Sequence, residues 1–146
     1  PTHFLNIPYA NILPIEFPNI PSAGVYYFTT KSGLRYEVRF GRLQDNILHA
    51  NIVFGVINDE FEGEEYVATN RGEVYQVMNT IVEIVKNYMT EHPKVNVYEF
   101  NAVGREGEDE NIENARMALY RRFLPKIYEG GWKFKIEGNF ALVTKI

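Results

Sequence analysis

A chain of 146 residues, 45% hydrophobic and 23% charged, is long enough to bury a core, and we expect one domain without internal repeats. Its net charge of −4 argues against general nucleic-acid binding, which needs many Lys and Arg contacts to phosphate. Without cysteine, disulfides, thiolate catalysis and Cys-ligated zinc are excluded; with no run near ~18 apolar residues and no signal peptide, we expect no membrane partner and a cytoplasmic location.

Residues 1–23, PTHFLNIPYANILPIEFPNIPSA, carry five prolines, a density that forbids a regular helix and favours extended backbone. Phe4, Leu5, Ile7, Tyr9, Ile12, Leu13, Ile15 and Phe17 are nevertheless too apolar for a solvated tail. The reading is an arm (1–23) ahead of a single domain (24–146). It lies either against its own domain or against a neighbouring subunit, and these eight residues are the candidates for binding a protein partner or a second copy.

Strands follow. VYYFTT (25–30), the turn KSG and LRYEVRF (34–40) read as a hairpin, with Leu34, Tyr36, Val38 and Phe40 on a buried face and Arg35, Glu37 and Arg39 on a wet one. After GRLQDN, residues 47–57 give a third strand, and EYVAT (65–69) a short fourth.

A helical period then begins at TNRGEVYQVMNT. Val74, Val77, Met78, Ile81, Ile84, Val85 and Tyr88 share one face, and Glu73, Gln76, Thr80, Glu83 and Asn87 the other. Asn70 can cap this helix with Glu73 three residues on, and His92-Pro93 stops it. VNVYEF (95–100) reads as a strand parallel to its neighbour, because a crossover helix feeds it. The acidic loop GREGEDE leads to a second helix from about Asn111, with Ile112, Ala115, Leu119 and Phe123 buried and Pro125 kinking or ending it. WKFKIE and FALVTKI, joined by Gly138-Asn139, close the chain as a hairpin.

The fold class is α+β: a mixed, mostly antiparallel sheet with two flanking helices, in the order β-β-β-β-α-β-α-β-β after the arm. This order resembles the C-terminal two-thirds of the GNAT family of N-acetyltransferases. NARMALYRRF (114–123) is similar to that family's N-x-x-A-x-x-L-Y helix, with Ala118, Leu119 and Tyr120 in register, Asn114 one place off and Arg116 where the family prefers Ala. TNRGEVYQVMNTIVEIV and ARMALYRRF also resemble small GNAT-like proteins encoded by tailed bacteriophages, which implies a virion component or an accessory protein.

The resemblance implies acetyl-CoA as cofactor, with its pyrophosphate on bare N–H groups at Asn70, Arg71, Gly72 and Val74, and Tyr120 as the acid for the departing thiolate. The family's phosphate motif is Q/R-x-x-G-x-G/A. Arg71 matches its first position, but Val74 and Gln76 take the glycine positions, and Glu73 sets a negative charge beside the phosphate. Helix capping accounts for the same residues, and a core-edge tyrosine accounts for Tyr120. The expectation is therefore a non-catalytic GNAT-like protein that binds proteins and holds no cofactor, with a divergent N-acetyltransferase as the alternative. His49, Glu64 and Glu65 are that enzyme's candidate bases. No metal site is expected: the acids at 106–113 lack a calcium-loop spacing, and His3, His49 and His92 lack HxH or HExxH.

Overall fold

The computed structural model of the protein describes residues 12–20, 23–56, 71–101, 115–138 and 140–146. They form β1 (Val25–Thr29), β2 (Arg35–Leu43), β3 (Asn46–Val56), α1 (Arg71–Glu91), β4 (Val97–Asn101), α2 (Ala115–Ile127), β5 (Trp132–Glu137) and β6 (Phe140–Lys145). The strand expected at 65–69 lies outside the described residues.

One six-stranded sheet carries the order β1-β2-β3-β4-β6-β5. Tight turns make β1–β2, β2–β3 and β5–β6 antiparallel, whereas the crossover through α1 makes β3–β4 parallel. The last hairpin folds back so that β6 lies antiparallel between β4 and β5. GRLQDN is not a long connection. β2 runs on to Leu43, its register shifts between Arg42 and Leu43, and only Gln44 and Asp45 separate it from β3.

Period-two alternation decides which face is dry. Tyr26, Phe28, Tyr36, Val38, Phe40, Ala50, Ile52, Phe54, Tyr98, Phe100, Ala141 and Val143 are buried, with both helices packed on this face. Phe40 stacks on Tyr88 of α1 with ring centroids 3.9 Å apart, and Tyr98 meets Tyr128, just past α2, at 5.4 Å. Arg35, Glu37, Arg39, His49 and Glu99 belong to the opposite face.

In α1 the apolar stripe is as the period predicts, since Val77, Met78, Ile81, Ile84, Val85 and Tyr88 are all buried. Two residues assigned to its wet side are buried as well, Thr80 completely and Glu73 at 8% exposure. The cause is long-range. The described part of the arm crosses α1 at Thr80, where the Leu13 N–H donates to Thr80 Oγ1 at 2.9 Å. The β1–β2 turn covers Glu73.

Leu13 is itself 5% exposed and Ile15 packs against the core, so these two arm residues lie against their own domain. Glu16 then pairs with Tyr27 along the outer edge of β1, through backbone hydrogen bonds of 2.8 and 3.2 Å. Phe17 and Ile20 remain 56% and 63% exposed, and Phe4, Leu5, Ile7 and Tyr9 lie outside the described residues.

The second helix buries Met117, Tyr120, Phe123, Leu124 and Ile127, against an expected set of Ile112, Ala115, Leu119 and Phe123. Of that set only Phe123 can be checked: Ile112 lies outside the described residues, as do the side chains of Ala115 and Leu119. Pro125 does not end the helix at once. The helix runs two residues further, because near a C-terminus proline costs one internal hydrogen bond and its ring stands on the exposed side.

Candidate functional site

The mouth of α1, the β1–β2 turn and the C-terminal ends of β3 and β4 lie at one end of the sheet. The pairing of Tyr36, just after that turn, with Val56 at the end of β3 shows this. In open sheets with parallel strands, ligands bind beyond the carboxyl ends of those strands, so this is the place to look.

The parallel ladder runs from His49↔Val97 to Ile52↔Phe100, after which β3 continues to Val56 beside β2. An aromatic cluster lies at the end of this ladder. The Tyr120 ring of α2 lies 4.7 Å from Phe54 and 6.4 Å from Phe100, centroid to centroid, and Tyr120 is 3% exposed. The family-matching tyrosine is thus at the carboxyl end of the parallel pair, but as a wedge of the core between two phenylalanines.

The helix mouth is built around Glu73. Its Oε1 accepts hydrogen bonds from the Ser32 N–H, at 3.2 Å, and from the Ser32 hydroxyl. Thr30 completes the network: its hydroxyl lies 2.9 Å from Ser32 Oγ and accepts from the Leu34 N–H at 3.0 Å. Burial pushes the Glu73 pKa up. The hydroxyls of Ser32 and Thr30, the Ser32 N–H and the charge of Lys31 outweigh burial and hold the carboxyl below its ordinary value. A carboxylate in the first turn also faces the positive end of the helix dipole. The mouth is therefore occupied by a fixed anion of the protein's own.

Arg71 is the first helical residue, and Gly72 and Val74 follow in the first turn. The positions where the family motif has glycine, Val74 and Gln76, are helical rather than part of a loop ahead of the helix. Asn70, Glu64, Glu65 and the acids at 106–113 lie outside the described residues, as do the side chains of Arg71, Gly72 and Val74.

His49 is not brought to Tyr120. It alternates with the buried Ala50 and so faces away from the helices, where its Nε2 lies 2.9 Å from Glu99 Oε1. His92 packs on Tyr88 at 4.1 Å, and Arg122 lies 5.9 Å from the centre of the Tyr75 ring. Among the described residues no group of three or more His, Cys, Asp or Glu could hold a metal ion, and no helix is long and apolar enough to cross a membrane.

Sequence reasoning missed Thr30 and Ser32 as partners of Glu73. A local signal exists, since Thr and Ser beside glycine mark a turn, but the contact joins residues 41 apart and leaves no periodicity. No protein-family model matches the chain, and no curated protein matches it.

Proposed function

We propose that the protein is a non-catalytic, GNAT-like protein-binding or assembly protein without a cofactor, phage-encoded and acting as a virion component or accessory protein. The observation that carries the reading is Glu73, a charged carboxylate locked to Ser32 at the helix mouth where a pyrophosphate would need bare N–H groups. A phosphate arriving there meets a like charge that the fold holds in place. The buried Tyr120 ring supports the same reading, as do Phe17 and Ile20 of the arm, which are exposed. The resemblance of the two helical segments supports the phage setting.

One observation favours the alternative of a divergent N-acetyltransferase that uses acetyl-CoA. Tyr120 stands at the carboxyl end of the parallel strands, where such an enzyme would hold its acid. Titration of acetyl-CoA and CoA into the protein separates the two readings. The assembly reading expects no heat at millimolar ligand. Micromolar binding that is lost when Gly72 is replaced by a bulky residue would establish the enzyme reading in its place.

A further inference from the structure

The two edges of the sheet are treated differently. On β1 the arm pairs at Glu16, and the Glu16 carboxylate is clamped by Arg35 through contacts of 2.7 and 3.1 Å. Among the described residues nothing pairs with the outer edge of β5.

The hydrogen-bonding phase of β5 follows from two contacts. The Ile146 N–H donates to the Gly131 carbonyl at 2.7 Å, whereas the Lys145 N–H turns away from β5 to the Asn96 carbonyl at 2.9 Å. Antiparallel pairs alternate, so the main-chain groups of Lys133, Lys135 and Glu137 point at β6. Those of Trp132, Phe134 and Ile136 point outward and have no partner strand among the described residues. Lys133, Lys135 and Glu137 are all exposed, and Phe134 is 40% exposed.

We propose that β5 pairs antiparallel with β5 of a second copy of this chain, making one continuous sheet across a two-fold axis. Charge and length choose the register. When Phe134 of each copy exchanges hydrogen bonds with Ile136 of the other, residues 133–137 of both strands are paired and Lys133 lies opposite Glu137 twice. Lys135 then meets its own copy on the axis. Pairing Phe134 with Phe134 would set Lys133 against Lys135 twice, which like-charge repulsion disfavours. Pairing Ile136 with Ile136 would set Lys135 opposite Glu137 twice, but it would pair only residues 135–137 and leave Trp132, Lys133 and Phe134 beyond the end of the partner strand. The chosen register covers the exposed Phe134 ring with Ile136 of the second copy.

The inference rests on the assembly reading but uses a surface that does not involve the arm. Sedimentation equilibrium of the full chain tests it. The wild type should be a dimer of the 16.9 kDa chain, and Lys133→Glu and Glu137→Lys should each weaken dimerisation at least about tenfold. Mixing those two variants should restore the dimer, because each then offers the charge the other lacks. Lys135→Gln, which removes the like pair on the axis, should tighten it.

A monomeric wild type at 100 μM (~) would overturn self-pairing, as that concentration greatly exceeds a micromolar dissociation constant. A dimer indifferent to both charge reversals but lost when Phe4, Leu5 and Ile7 are replaced by serine would overturn it too. That outcome would leave the assembly reading standing on the arm. Weakening by Lys135→Gln would overturn the register.

Discussion

Glu73 is where one side chain decides most. Its carboxylate holds the start of α1 to the β1–β2 turn, so Glu73→Gln should lower stability by about 1–2 kcal/mol, the worth of a charge-assisted hydrogen bond. The folded-state pKa lies below the ordinary 4.5, so this stabilisation is present above that value. It is lost as the pH falls through the folded-state pKa. Urea unfolding of both proteins at pH 7 and in acid should show the difference shrinking in acid. Two buried phenols behave differently. Among the described residues the Tyr98 and Tyr128 hydroxyls have no hydrogen-bond partner, and burial raises the pKa of both. Tyr26, which donates to Asn87 Oδ1, is pushed up to about 12, mainly by burial. Raised phenol values stabilise the fold below the unfolded pKa of ~10 and cease to do so as the pH climbs through the folded values. Phenol absorbance should therefore show tyrosines that ionise only as the protein unfolds in alkali. Tyr128→Phe and Tyr98→Phe should each change stability by less than about 0.5 kcal/mol, since an unpaired hydroxyl contributes nothing that phenylalanine lacks. A loss above about 1 kcal/mol in urea unfolding would show that the hydroxyls are bonded after all.

The arm joins the fold through α1. Thr80 Oγ1 donates to the Gln76 carbonyl at 2.6 Å and accepts from the Leu13 N–H. Thr80→Val keeps the shape but leaves that N–H buried without an acceptor, and should cost about 1–3 kcal/mol. Leu13→Ala should cost about 2–5 kcal/mol for the vacated space, both read from denaturation midpoints. Deletions meant to free the arm should therefore stop before Ile12. These contacts also show what the sequence could reveal. The strands were legible because Leu34, Tyr36, Val38 and Phe40 alternate with polar residues, and α1 because its apolar stripe keeps a period of 3.6. Thr80 and Glu73 were misread because period alone assigns a polar side chain to solvent, whereas distant segments cover these two. On α2 the buried Phe123 was legible, but Met117, Tyr120 and Leu124 were not, because they form a second apolar phase beside it. Two adjacent apolar phases in a short helix give periodicity no basis for choosing.

At the scale of the whole fold, one sheet carries both helices on one face, its β1 edge met by the arm and its β5 edge without a partner strand among the described residues. The candidate site was legible as an address and not as a chemistry. ARMALYRRF pointed to Tyr120, and the start of α1 pointed to the helix mouth. Whether that tyrosine was a wedge in the core or an acid in a cleft depended on Phe54 and Phe100, which come from two other strands. The sheet edge makes the strongest statement about assembly, and the paired reversals of Lys133 and Glu137 test it without disturbing the core.

The most direct test of the central claim is calorimetric titration of acetyl-CoA into the wild-type protein and into Glu73→Gln. The account predicts no binding heat from the wild type, because its own carboxylate occupies the helix mouth. Micromolar binding by the wild type, lost on placing a bulky residue at Gly72, would contradict it.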